Sequence, residues 1–333
     1  MLPLSRPSLR RQDFDHVLDA MVHDRLASGE ISSLLGRETA KALGLKEAAV
    51  YASVADGVGR ILEGLGLVPG DKVVVSPLAP GYWYRLLRRY GLEPVLADVL
   101  EFSPVLDPEA VQAVLSLQPK AVVADTCLGY LPDFRALAAL GLIIIEDISQ
   151  GMGGVFEGRP VGSFGHAVLA HFSPDTLVAG AGGCLVGFRA PPQEAPDSDG
   201  WELVTDLAAS LILSQWKDTE TFVLKKRENF TFLFHRLPRQ YRQPKQTGDA
   251  QTVGPWFPVL VESGAKEVLA YSRKKAVSAE WAFRDQAHFS SESSVELCPR
   301  ARRFLFHTLI FPLYATFSTK ELELLGKVIS SLP

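Results

Sequence analysis

Asp147 lies two residues beyond Ile145, the last of the apolar run Leu142 to Ile145, so it stands at the end of a buried strand. Ligands bind at the carboxyl edge of parallel sheets, where such a carboxylate can hold a cationic or hydrogen-bond-donating group. The plainer alternative is that Asp147 caps the next turn and that Gln150, three residues on, is only a loop residue. Ser53 and Asp56 open a helical segment. The backbone amides of a helix start can take an anion. An acidic residue in the first turn suits the helix dipole but repels that anion, which favours a self-capped helix. His166 and His171 flank a short apolar run, and His171 reads most simply as an ordinary strand or pocket residue. No lysine occurs between Lys120 and Lys217. Cys127, Cys184 and Cys298 lie far apart without CxxC spacing, which points to reduced thiols and to no metal site. Arg236, Arg239, Arg242 and Lys245 share one short segment with two prolines. That segment can contact a phosphorylated ligand, though a solvated linker is the simpler reading.

The elements that must position these residues alternate between helix and strand. Helical spacing of Phe14, Val17, Leu18, Met21 and Val22 predicts an amphipathic helix over 11–26. Further helices are expected at about 32–43 and 54–65, the latter with Val58, Ile61 and Leu62 on one face. Apolar runs at 73–75, 95–97, 121–124 and 142–145 are near-continuous, as a parallel sheet covered on both faces requires. Two more strands are expected at 167–172 and 184–188, around the glycine-rich turn Gly180-Ala-Gly-Gly183. A surface loop at 189–200 and a helical stretch from 201 to 235 follow. The remainder reads as a strand at 256–261, a helix at 265–275, an extended run at 304–312, and a last helix opened by the capping box Ser318-Thr-Lys-Glu321. The division expected is a large domain over 1–235 and a small α/β domain over 236–333. With 333 residues, 47% of them apolar, a large core can be buried, and a net charge of −4 gives no reason to expect nucleic acid. Residues 1–7 hold no apolar stretch, and the run 137–145 is too short to span a bilayer, so a cytoplasmic protein is expected.

Several pieces together resemble the DegT-type sugar aminotransferases, within the fold-type-I pyridoxal phosphate enzymes. They are Pro3-Leu-Ser-Arg-Pro-Ser-Leu9, Gly66-Leu-Val-Pro-Gly-Asp71, Glu93-Pro-Val-Leu-Ala-Asp98, Ile145-Glu-Asp-Ile-Ser-Gln150, Gly158-Arg-Pro-Val-Gly-Ser-Phe-Gly165 and Gly180 to Gly183, closing with Phe311-Pro-Leu-Tyr314. Each piece is weak alone, and their order and spacing carry the likeness. The resemblance implies a fold-type-I aminotransferase-like α/β architecture, with a mostly parallel sheet flanked by helices plus a smaller C-terminal domain.

The resemblance also says what the cofactor needs, and this chain departs from it. The family's Asp, which pairs with the pyridinium nitrogen, falls on Asp147, and a residue near the ring hydroxyl falls on Gln150. The phosphate loop, Ser-Ser-Gly-Thr in the family, falls on Ala52-Ser53-Val54-Ala55, so the glycine and the threonine hydroxyl are gone. The stacking aromatic falls on Pro80, with Tyr82 and Trp83 nearby but most simply core residues. A common histidine falls on Thr126. The Schiff-base lysine falls on Asp175 or Thr176, neither of which forms an imine. One subgroup uses histidine in its place, but His171 matches a phosphate-contacting serine instead. Ser53, Asp147, Gln150 and His171 are therefore candidates for a vestigial cofactor pocket with no catalytic residue.

Three functions follow. The first is a non-catalytic aminotransferase-fold protein, a pseudoenzyme of sugar biosynthesis. The second is a lysine-independent enzyme, of aminotransferase or dehydratase type, that holds pyridoxal or pyridoxamine phosphate non-covalently and acts on a nucleotide-linked keto-sugar. The third is a small-molecule binding module whose pocket is made acidic by Asp56, Asp147 and Asp175. The resemblance also implies a homodimer. A buried, unpaired Asp147 must be stabilised by local hydrogen bonds, ordered water or a cation, with Arg135, Arg159 and His171 the closest in sequence. On that footing Asp147→Asn leaves stability nearly unchanged or raises it slightly.

Overall fold

A computed structural model of the chain describes residues 1–193, 202–284 and 297–333. Helices α1 (Arg11–Val22) and α2 (Glu30–Leu43) precede β1 (Glu47–Tyr51). Then come α3 (Val54–Gly64), β2 (Lys72–Val75), α4 (Gly81–Arg89), β3 (Glu93–Leu96), α5 (Pro108–Ala113), β4 (Ala121–Asp125), α6 (Phe134–Ala138) and β5 (Ile143–Asp147). The hairpin β6 (Val155–Phe156) and β7 (Arg159–Pro160) leads to β8 (Ala167–His171) and β9 (Cys184–Phe188). Helices α7 (Asp206–Trp216) and α8 (Thr219–Phe234) follow, then β10 (Ala250–Gln251), β11 (Trp256–Leu260), α9 (Ala265–Lys274) and β12 (Glu280–Trp281). The chain closes with α10 (Pro299–His307), β13 (Thr308–Pro312) and α11 (Thr319–Ser330). The loop expected at 189–200 lies outside the described residues from 194 onward.

Seven strands form the main sheet in the order β1-β9-β8-β5-β4-β2-β3. Strands β8, β5, β4, β2 and β3 run parallel, and β9 is antiparallel to both β8 and β1. Side chains alternate across a strand, and here both faces are apolar. Val74, Val122, Ile144 and Val168 pack under α2, α6 and α7, with Leu35, Phe134 and Ile212. Val73, Val123, Ile145 and Leu169 pack under α3 and α4, with Ile61, Trp83 and Leu87. A three-stranded sheet, β11-β13-β12, packs Phe257, Val259 and Phe311 against α9 and α11. Val223 and Leu233 of α8, and Leu2 near the start of the chain, join that same cluster.

Several expectations need correcting. Helix α1 ends at Val22, and its apolar stripe faces outward: Phe14, Leu18, Met21 and Val22 are each at least half exposed. It is Asp13 that is buried, bonded to the hydroxyl of Ser214 on α7. The single helical stretch expected over 201–235 is two helices, broken at Lys217-Asp218, and residue 201 lies outside the described residues. Thr205 caps α7. The buried Asp206 carboxylate reaches back to the amides of Gly29, Ile31 and Ser32 and so caps α2 as well. The extended run expected at 304–312 begins as helix. Pro299 at the first turn of α10 is pre-set for it, and the strand starts only at Thr308. Strand β1 and helices α4, α5 and α6 were not expected from the sequence. The capping box at Ser318 and Glu321 is present.

Candidate functional site

Strand alternation and register assemble the site. Asp147 ends β5 on the same face as Ile145, the face covered by α3 and α4. Its neighbour in register on β4 is Asp125. On the other side, β8 carries Leu169 and then His171 to the same face, and His171 is paired with Cys184 of β9. Two carboxyl groups, an imidazole and a thiol therefore line one edge of one face. Tyr82 and Trp83, in the first turn of α4, lie over them.

Asp147 is 1% exposed, and both its oxygens are taken. Oδ2 accepts hydrogen bonds from the Tyr82 hydroxyl and, at 2.7 Å, from the Trp83 indole Nε1. Oδ1 accepts from the Ser149 amide at 3.0 Å and the Ser149 hydroxyl at 2.6 Å. A buried carboxylate with four donors is a satisfied one. The cations proposed for it are engaged elsewhere. Arg135 pairs with Glu157, and Arg159 donates to the Ser163 carbonyl and lies over Phe164. The ring of His171 meets Tyr82 edge-on at 5.9 Å, and its Nδ1 is buried without a partner among the described residues.

Asp125 has the opposite character. It is 1% exposed, and neither oxygen has a hydrogen-bond partner among the described residues. Burial, and then the Asp147 charge, push its pKa well above the usual carboxylate range, so it is held as the neutral acid. The same two causes raise the Tyr82 phenol and the Cys184 thiol, which leaves a donor and an unactivated thiol.

The other candidates scatter. Ser53 caps α3: its hydroxyl accepts from the Asp56 amide at 3.1 Å and lies 2.7 Å from the Asp56 carboxylate. Val54 and Ala55, where the family has glycine and threonine, pack against the core beneath. The Gln150 side chain turns away from Asp147 and accepts the Leu128 amide at 2.6 Å. That bond steadies a kink where Leu128 has φ +53°. Asp175 is bonded to the Ser173 hydroxyl, and the Thr176 hydroxyl links the Ser173 amide and carbonyl to the Val178 carbonyl. Asp175 lines a small cavity with Lys226, apart from Asp147. Of the acidic pocket expected from Asp56, Asp147 and Asp175, the first two both act on the buried Cys184 thiol, whereas Asp175 lies beside Lys226.

Lys226 was missed. It sits on α8, 51 positions from Asp175 in sequence, and only the fold brings it to the place of the absent lysine. Lys226 is 5% exposed, and its amine donates to the Pro255 carbonyl at 3.2 Å. Burial lowers its pKa to about 7, against the opposing pull of Asp175. A buried lysine answered by a half-buried acid is not readable from spacing.

Residues 7–189 match the DegT/DnrJ/EryC1/StrS aminotransferase family. The chain belongs to this family. It is similar to the spore coat polysaccharide biosynthesis protein SpsC of Bacillus subtilis, 28% identical over 189 residues. That match covers 55% of this chain and 49% of SpsC, so it spans about half of the relative's length. Among solved structures, a putative sugar aminotransferase from Streptococcus pneumoniae in its PMP form superposes with a TM-score of 0.89 at 15% identity, covering 99% of this chain and 97% of that one. The aminotransferase TlmJ from Streptoalloteichus hindustanus superposes at 0.90 with 20% identity, covering 99% and 98%. At such identities these structures show the fold, which is the DegT-type aminotransferase fold.

Pyridoxal phosphate, placed as the family holds it, would meet groups already bonded to one another in this DegT-family site. Its ring nitrogen needs an oxygen of Asp147, and Tyr82, Trp83 and Ser149 occupy both. Its phosphate needs the start of α3, where Ser53 and Asp56 are bonded to each other. Its aldehyde needs a lysine at Asp175 or Thr176, and both are tied to Ser173. Among the described residues, no group of three or more metal-ligating side chains is gathered, and no helix is long and apolar enough to cross a membrane.

Proposed function

We propose that this chain is a non-catalytic member of the DegT aminotransferase family, kept for binding or assembly rather than transamination. One observation carries the reading: the carboxylate that the family turns toward the cofactor is saturated by the chain's own Tyr82, Trp83 and Ser149. Incubation with pyridoxal phosphate, borohydride reduction and peptide mass spectrometry test it. No lysine-linked cofactor is expected, and no visible internal-aldimine band before reduction. A reduced cofactor peptide would overturn the reading.

A second reading is a pyridoxal or pyridoxamine phosphate enzyme acting on a nucleotide-linked keto-sugar. Lys226 favours it, because an amine with a pKa of about 7 is a nucleophile at neutral pH. The same mass spectrum decides between the readings, since an adduct on Lys226 supports this one alone.

The family resemblance supports a role in sugar biosynthesis in the cytoplasm, and three buried free thiols agree with a reducing compartment. It also supports a two-fold dimer. The exposed stripe of Phe14, Leu18, Met21 and Val22 is an apolar face suited to such an interface. Light scattering of wild type and Leu18→Asp tests this, with a dimer expected for the first and weaker association for the second; a monomeric wild type sinks the proposal. The division at 1–235 and 236–333 remains a proposal that limited proteolysis tests.

A further inference from the structure

The basic segment 236–245 does not lie free on the surface. With the C-terminal half of α8 and the turn after β4 it encloses an open cavity of about 710 Å³. The volume is that of a small-molecule site. Its floor is built by close backbone approach: a Cβ on Gly129 would come within 2.2 Å of Gly254, and one on Gly254 within 2.0 Å of the Leu128 carbonyl. Two glycines thus let Val253-Gly254 lie directly on Leu128-Gly129. Phe230 and Phe234 give the lining an apolar part, with their rings parallel to within 9° at 6.4 Å. His235, Arg239, Arg242 and Lys245 also line it, and no carboxylate is among the described lining residues. None of these four side chains is in an ion pair of the described residues, although Lys245 rests over Phe102.

We propose that this cavity binds a phosphorylated small molecule with a flat apolar body. Its phosphates face Arg239, Arg242 and Lys245, and its body lies against Phe230 and Phe234. Guanidinium groups match phosphate oxygens in geometry and charge, and the parallel rings suit a planar group. The inference does not rest on the reading of the Asp147 site, which lies across the turn that Gln150 holds.

Isothermal titration of the full chain with ADP, pyrophosphate and adenosine tests it, because the three probes separate charge from ring. ADP is expected to bind, pyrophosphate about tenfold more weakly, and adenosine without measurable heat. Arg239→Ala combined with Arg242→Ala is expected to weaken ADP about a hundredfold, a factor of about ten per charge-assisted contact. Both arginines are exposed, so the fold tolerates the change, and the exposed Arg37→Ala serves as a control with unchanged affinity. No ADP binding at millimolar concentration would overturn the proposal. So would ADP affinity untouched by the double variant, or pyrophosphate binding as tightly as ADP.

Discussion

Replacing Asp147 by asparagine separates a saturated carboxylate from an idle one. Asparagine keeps the shape but offers one acceptor oxygen and one NH2 where there were two acceptors. Of the four donors around Asp147, the hydroxyls of Tyr82 and Ser149 can rotate to accept. The Trp83 indole N–H and the Ser149 backbone N–H cannot, and they address different oxygens. Whichever way the amide is turned, one fixed N–H therefore faces an NH2. The loss is one charge-assisted hydrogen bond together with a buried donor left without a partner, about 3 kcal/mol in sum. Removing the charge beside the neutral Asp125 offsets little of this, since Asp125 is already protonated. For a chain of this length that corresponds to a fall of about 4 °C in the midpoint of thermal unfolding. Urea unfolding followed by tryptophan fluorescence should show the same loss, with Trp83 as a local reporter. The reasoning fails if Asp147→Asn is as stable as the wild type or more so, which is the outcome expected from the sequence alone.

The other expectations concern charge and the missing lysine. Glu146 is fully buried, and burial raises its pKa to about 7 against the amides of Phe164 and Gly165. The unfolded chain releases this proton from about pH 4.5 while the folded chain holds it, so stability present below that pH is lost as pH rises to about 7. The loss is about 3 kcal/mol. Glu146→Gln should accordingly match the wild type near pH 4 and exceed it near pH 8; equal stability at both would contradict the assignment. Asp175→Lys restores the family's lysine but leaves Asp147 saturated and α3 self-capped, so it should not produce tight cofactor binding. A stable yellow adduct of that variant would show that the lysine alone was lacking.

How much of this was legible in the sequence depends on how local each cause is. Strands β2, β4, β5, β8 and β9 stood out because both faces are buried and their residues are apolar without a break. Strand β1 did not, because it is an edge strand whose first residues, Glu47-Ala-Ala, are only partly covered. In α1 the periodicity was readable but not the direction it faces, since Asp13 is drawn inward by Ser214, 201 residues away. Asp147 could be placed at the sheet's edge from the apolar run before it. Its partners Tyr82 and Trp83 lie 65 and 64 residues earlier, and nothing in their spacing tells a hydrogen-bond donor from a core aromatic. The basic segment was visible as charge, whereas its cavity arises only where Gly129 and Gly254 meet.

Calorimetric titration of the wild type with pyridoxal phosphate and with pyridoxamine phosphate, repeated on Asp147→Asn, addresses the central claim most directly. A site saturated by its own side chains gives no micromolar binding of either compound, in either protein. Micromolar binding by the wild type that is abolished in Asp147→Asn would mean that Tyr82 and Trp83 give way to the cofactor, and that Asp147 still serves it.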